Sequence, residues 1–301
     1  MSRQWSQVRL VALASLCAVL WGSAFPVIKG VYATWDDPAL ELRLCFAGVR
    51  FTAAGLLIAP FCWREVRSCR SGSVAWVLLL ALTQTLLQYV FFYSALAVSS
   101  GVLGSILVGT GSLWWIVLAP CLLRTSPPQG RHWTVIVLCS LGVILAVYAP
   151  GAGSGRPVLG SVLFLGSTLS GALGAIVIVP VSRLMDVRLA TAGALFLGGI
   201  ALIGLGLRGL PDFVGLLDRR LCLTTLYLAV VSAGAFSTWN WLVREYSVNL
   251  LAGYRFLIPL SAVTQSTLFI DGESPGIGIL IGGALIVGSL LFLHRVENRA
   301  G

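Results

Sequence analysis

Acidic residues are scarce in this chain, and where they are missing matters more than how few they are. Eleven Asp and Glu stand against 20 Lys and Arg in 301 residues. All eleven (Asp36, Asp37, Glu41, Glu65, Asp186, Asp212, Asp218, Glu245, Asp271, Glu273 and Glu297) fall in polar joints or near the ends of apolar stretches. No Asp or Glu stands centrally in an apolar stretch as a proton relay or sodium ligand, which disfavours pumping through a mid-membrane carboxylate. Charge of either sign is low: charged residues make up 10% of the chain, against roughly 25% in a soluble domain. His132 and His294 are far apart and sit at predicted helix ends. That excludes the clustered His and carboxylates of a metal site or a reactive centre. No GxxxxGK[ST] loop is present, so no ATPase engine is visible. Cys17, Cys45, Cys62, Cys69, Cys121, Cys139 and Cys222 are scattered without a C-x-x-C, and read as small buried hydrophobes. No metal and no cofactor is expected.

What the chain has instead is long apolar runs. Hydrophobic residues make up 57%, and the mean hydropathy is +0.94. A bilayer core about 30 Å thick needs about 20 apolar residues per helix. Runs of that order occupy 10–30, 39–60, 73–95, 100–121, 133–149, 158–180, 189–207, 221–242, 248–269 and 275–293. They are continuous rather than alternating, which requires helices and not strands. The predicted fold is an all-α integral membrane protein with ten transmembrane helices. No room is left for a soluble catalytic domain. The first segment is too long for a typical signal-peptide core and lacks a clear cleavage pattern, so it is expected to be retained.

The +9 net charge is distributed to orient a membrane protein rather than to bind nucleic acid. With the N-terminus in the cytoplasm, that side holds Arg3, Arg9, Arg64, Arg67, Arg70, Arg124, Arg131, Arg183, Arg188, Arg244, Arg295 and Arg299. The opposite side holds Arg43, Arg156, Arg208, Arg219 and Arg220. This is the positive-inside bias, with both termini cytoplasmic. Joint 208–220, with three of those Arg, is its weakest point.

The chain carries the same plan twice. Leu20–Ala24 in the first segment answers Ser170–Gly174 in the sixth, with Gly22 and Gly171 standing 149 residues apart. Segment 97–121 answers 245–269, and Gly142 in the fifth answers Gly288 in the tenth. A unit of five crossings puts its second copy upside down, an inverted repeat of the kind secondary transporters use. The expected halves are 1–151 and 152–301. The 34 glycines suit close helix packing, whether static or rearranging.

Polar side chains inside apolar segments need partners or a cavity. Gln84 and Gln88 are four apart in the third segment, followed by Tyr89 and Tyr93. They line a ligand cavity or bond helix to helix. Arg50 lies near the middle of the second segment, as a structural anchor or as a gating or substrate group. Tyr254, Arg255 and Gln265 lie in the ninth. Arg255, about seven residues past the helix start, can snorkel to the surface or neutralise a carboxylate or phosphate. Lys29 is an interface anchor or part of an outer mouth. The fourth segment adds Thr110, Ser112, Trp114 and Trp115, and the eighth adds Ser232, Ser237, Thr238, Trp239 and Asn240. Trp21, Trp114 and Trp239 lie deeper than an interfacial belt and suit an amphipathic cavity.

Trp21-Gly22-Ser23-Ala24-Phe25-Pro26, Arg50-Phe51-Thr52-Ala53-Ala54, the Ala95-Leu96…Ser99-Ser100 turn, Gly142 and Gly288 together resemble the EamA-type, ten-helix members of the drug/metabolite transporter superfamily. The likeness spans about 10–294. Gly101 and Val102 depart from its Ala-rich continuation, and the second half lacks a clear Trp-Gly. The resemblance implies an inverted-repeat basket around a central cavity and transport, often export, of amino acids or other small metabolites. The expected function is therefore secondary transport, not catalysis, in the inner (plasma) membrane. The expected partners are a small polar or amphipathic metabolite and membrane lipid, with the chain a monomer or dimer. Substrate-binding candidates are Trp21, Arg50, Gln84, Gln88, Tyr89, Trp239, Tyr254 and Arg255. A structural or receptor-like membrane protein, and a membrane-embedded lipid-modifying enzyme, are the alternatives.

Overall fold

The structure, a computed structural model, describes residues 3–35, 38–70, 72–124, 130–148, 156–246, 251, 254–255, 257–270 and 276–300. Its elements are helical: α1 Arg3–Tyr32, α2 Leu40–Ile58, α3 Ser73–Leu80, a π-helical stretch Ala81–Leu87 and α4 Gln88–Val98. Then follow α5 Gly101–Val108, α6 Gly111–Leu123, α7 Gly130–Tyr148, α8 Pro157–Val181, α9 Val187–Leu205, α10 Leu210–Gly215 and α11 Arg219–Glu245. Two more, α12 Leu257–Phe269 and α13 Ile277–Ala300, complete the described chain.

Among the described residues, seven helical spans are long and apolar enough to cross a membrane: 8–32, 40–61, 73–98, 103–123, 157–181, 187–205 and 219–245. Three shorter apolar helices, Trp133–Leu145, Leu257–Phe269 and Leu280–Ser289, fall within the remaining expected segments. The chain is an all-α, multi-pass membrane protein. Its outward surface is what lipid selects. Leu56, Leu78, Val162, Ile200, Val230 and Leu268 are exposed, and no water-facing polar stripe is needed where hydrocarbon replaces water.

Helix ends follow local chemistry. The Ser100 hydroxyl accepts from Leu103 N, Asp218 accepts from Leu221 N, and Pro157 opens α8. The last suits proline, because its missing N–H would be unpaired there anyway. Asp186 caps α9 and accepts from Arg188 N at 2.9 Å and Leu189 N at 3.4 Å. Partial burial pushes the Asp186 carboxyl up. Hydrogen bonds from the Arg188 side chain and backbone outweigh that and hold it below its ordinary value. Stabilisation from a lowered carboxylate is present above the unfolded value and lost as pH falls through the folded one. Asp186→Ala is expected to cost about 1 kcal/mol at neutral pH. Thermal unfolding should show the variant and parent converging only below about pH 4.

Packing between helices is by close approach. α2 runs along α9, α7 along α13, and α5 along α12; α1 lies against α11 and α12, and α8 against α4, α5 and α6. On the α2–α9 seam a Cβ on Gly48 would stand 2.6 Å from Ile203 N and 2.7 Å from Gly199 O, and one on Gly199 2.5 Å from Thr52 N. The two backbones therefore touch, which supplies contact where lipid gives little hydrophobic drive.

Three expectations need correction. The third segment is not a uniform α-helix, since its centre, Ala81–Leu87, is π-helical. The fourth is interrupted between α5 and α6 at Gly109–Thr110. Arg255 does not lie inside a helix but in a turn just before α12. Pro259 suits that start: it lacks an N–H, which costs nothing in a helix's first turn. The two interruptions meet, with the Gly109 Cβ position 3.1 Å from Pro259 Cγ and that of Gly111 2.8 Å from Arg255 Nη2. Cys121 and Cys222 also depart from expectation, being exposed on the outer surface, whereas Cys17, Cys45, Cys62 and Cys139 are buried. Asp36, Asp37, Asp271 and Glu273 lie outside the described residues, as do the side chains of His132, His294 and Ser112.

Candidate functional site

Helices α1, α2, α4, α5, α8, α11 and α12, the π-helical stretch and the turn before α12 line a central cavity of about 80 Å³. Seven of the eight candidates line it: Trp21, Arg50, Gln84, Gln88, Tyr89, Trp239 and Arg255. Tyr254 does not. It packs against an apolar cluster that includes Leu10, Trp115 and Leu251 and adjoins the cavity at Trp239. A water occupies roughly 30 Å³, so the cavity holds two or three. Small-molecule sites run to about 300–1,000 Å³, so in this conformation the space is too small for a metabolite.

Arg50 is 2% exposed, the largest side chain buried so completely. Its Nη1 donates to Tyr93 Oη at 2.9 Å and its Nη2 to Ser232 Oγ at 3.1 Å. Its guanidinium carbon stands 4.4 Å from the Phe51 ring centre and 5.5 Å from that of Tyr89. These contacts tie α2 to α4 and α11 through neutral groups and ring faces. Its Nε has no partner, and neither has Arg255 Nε nor Trp21 Nε1.

Gln84 has less freedom than its position suggests. Its amide pairs reciprocally with Asn240, at 3.1 and 3.2 Å, and Asn240 also donates to Thr191 Oγ1 at 2.9 Å. The Gln84 side chain is therefore committed to joining helices. Gln88 is half-buried beside Gly171, whose Cβ position is 2.9 Å from Gln88 Oε1. Trp21 meets Trp239 and Phe236 edge-to-face, each at 5.5 Å.

Lys29 reaches Ser99 O at 2.9 Å. Gln265 donates to Val19 O and Ser261 Oγ and lines a different space, about 630 Å³ near the C-terminal end of α1, together with Asp218 and Arg220.

The cavity wall includes Ser167 and Thr168 of α8 and the aromatic residues Phe25, Phe92 and Phe236, none of which the sequence marked as substrate-binding. Ser167 Oγ donates to Gln88 O at 2.8 Å, and Thr168 Oγ1 accepts from Trp114 Nε1 at 3.0 Å. The available signal was the hydroxyl-rich run Ser167–Ser170 beside Gly171.

A multi-pass helical bundle built around a central polar-and-aromatic cavity has the build of a membrane carrier. Comparison with known proteins agrees. Residues 9–148 match the EamA-like transporter family. The uncharacterized transporter YvbV of Bacillus subtilis is 25% identical over 97% of this chain and 93% of its own length. An uncharacterized transporter of Archaeoglobus fulgidus is 28% identical over 95% of this chain and 98% of its own. The uncharacterized inner membrane transporter YedA of Escherichia coli K12 is 26% identical over 83% and 79%. One protein of solved crystal structure superposes with a TM-score of 0.64 at 15% identity, over 97% of both chains. Residues 9–148 are thus similar to the EamA-like transporter family, and the relatives matched along most of the chain, all below 30% identity, are described as transporters. Among the described residues no group of three His, Cys, Asp or Glu is placed to hold a metal.

Proposed function

We propose that this protein is a secondary transporter of the inner membrane, exporting small polar or amphipathic metabolites such as amino acids by alternating access. The observation that carries the reading is the convergence of Trp21, Arg50, Gln84, Gln88, Tyr89, Trp239 and Arg255 on one cavity. In this reading ten helices form two inverted five-helix repeats, 1–151 and 152–301, with both termini cytoplasmic. Three features support it. The helix contacts keep their pattern when each helix is exchanged for the one five further on: second with seventh, fourth with ninth and fifth with tenth are paired, while the first lies on the eighth and ninth as the sixth lies on the third and fourth. The interruptions at Gly109–Thr110 and Arg255 fall at corresponding places in the fourth and ninth segments. Broken helices at a central site are a recurrent transporter device.

The test is uptake into reconstituted vesicles of a panel of amino acids and related metabolites, with and without a pH gradient. Flux indifferent to the gradient is expected from a path without a central acid; strict dependence on it counts against the reading. Gln88→Ala combined with Arg255→Ala should reduce flux at least tenfold while insertion is unchanged. Normal flux from that pair removes both residues from the path.

A further inference from the structure

The hydrogen-bonding chemistry of the cavity is one-sided. Arg50 Nε, Arg255 Nε and Trp21 Nε1 are buried without partners, and all three residues line the same space. Arginine and the indole N–H can donate and cannot accept. No Asp or Glu lines the cavity, and neither guanidinium forms an ion pair among the described residues. Arg255 also stands against Gly111 at the start of α6, where a helix end carries partial positive charge. Two guanidiniums and an indole N–H thus line one small volume, with no carboxylate among the described residues that line it. Burying cations in hydrocarbon without a counter-charge is costly. The group that relieves the cost must be an acceptor with negative charge.

We propose that the substrate is a net organic anion. Its carboxylate or phosphoryl head lies between Arg50 and Arg255, and its apolar or aromatic body lies against Trp21, Trp239 and Phe236. This rests on the cavity being the transport path, and it narrows the substrate class. Among the amino acids of that reading it favours those of net negative charge, because the ammonium of a zwitterion finds two guanidiniums and no carboxylate among the described lining residues. Cationic compounds are excluded for the same reason. The wall fits the rest of such a molecule, because Trp21, Trp239 and Phe236 form an edge-to-face cluster that presents ring surface to an apolar body.

The experiment uses the full chain in lipid nanodiscs, with thermal stabilisation and tryptophan fluorescence as binding readouts. The probes are 3-phenylpropionate, the neutral 3-phenylpropionamide, phenylalanine and phenyl phosphate. The carboxylate should bind at least about tenfold more tightly than its amide and than the zwitterion. Arg255→Gln should abolish that preference while leaving amide binding within about twofold. Phenyl phosphate binding more tightly than the carboxylate assigns the head to a phosphoryl group, and weaker binding assigns it to a carboxylate; both outcomes support the proposal. Equal binding of amide and carboxylate overturns the anion while the cavity stands as a binding site. A preference that persists in both Arg255→Gln and Arg50→Met also overturns it. Binding of none of the four, with 3-phenylpropionate and its amide both failing to cross in vesicle flux, overturns the anion and the transport path together.

Discussion

Arg50→Met is expected to leave the protein as stable as the parent, or more so, while lowering flux on the order of 100-fold. The two effects separate because the guanidinium is buried at a cost the fold itself does not recover. A buried ion carries an effective penalty of several kcal/mol. Against it stand two hydrogen bonds to neutral hydroxyls and ring contacts to Phe51, Tyr89 and Tyr93. Ser232 Oγ keeps its bond to Leu228 O at 2.8 Å when Arg50 is gone. Only Tyr93 Oη is left unpaired, at about 1–3 kcal/mol. Methionine fills much of the same volume and packs well on aromatic rings. Thermal unfolding in detergent and vesicle flux are read on the same preparation. A Tm lower by several degrees, with flux falling only in proportion to folded protein, would make Arg50 an anchor and nothing more.

Gly199→Val is expected to reduce the yield of folded protein at least tenfold. A Cβ there meets Thr52 N and Oγ1 at 2.5 Å and Gly48 O at 2.9 Å. Two of those three atoms are backbone, so no rotamer relieves the clash. Ordinary overpacking costs about 1–3 kcal/mol; a branched side chain driven into main chain exceeds that, against a total stability of about 5–15 kcal/mol. Gly204 is the internal control. It lies on the same helix with nothing within 4 Å of a Cβ, and Gly204→Val should fold as well as the parent. Equal yields from the two variants would mean that α2 and α9 are not in backbone contact.

Much of this was legible because the membrane makes polarity expensive. A Gln or Arg inside an apolar run needs a reason, and that reasoning selected seven residues that line one cavity. Tyr254 lies off the cavity because its segment is broken, the helix restarting at Leu257, and its ring packs on another cluster. Pro259 was the visible sign of that restart. Ser167 and Thr168 escaped for a different reason. A hydroxyl can bond back to its own helix, as Thr168 Oγ1 does to Leu165 O at 3.0 Å, so it is cheap in lipid and gives no alarm. Phe25, Phe92 and Phe236 were silent because an aromatic residue facing a cavity and one facing lipid look alike in a single sequence. Gln84 shows the reverse limit. Its burial was readable, but its commitment to Asn240, 156 residues away, was not.

The π-helical stretch in the third segment carries a consequence of register. A π turn holds more residues than the α turn it replaces, so Ala81–Leu87 contains slack that an α-helix lacks. Refolding it as α at constant length would turn everything after it by about 100° per surplus residue. Gln88, Tyr89 and Phe92, which now face the cavity, would swing away from it, and Gln84 would leave Asn240. The same stretch of chain can therefore present two different walls to the same space without a hinge or a loop.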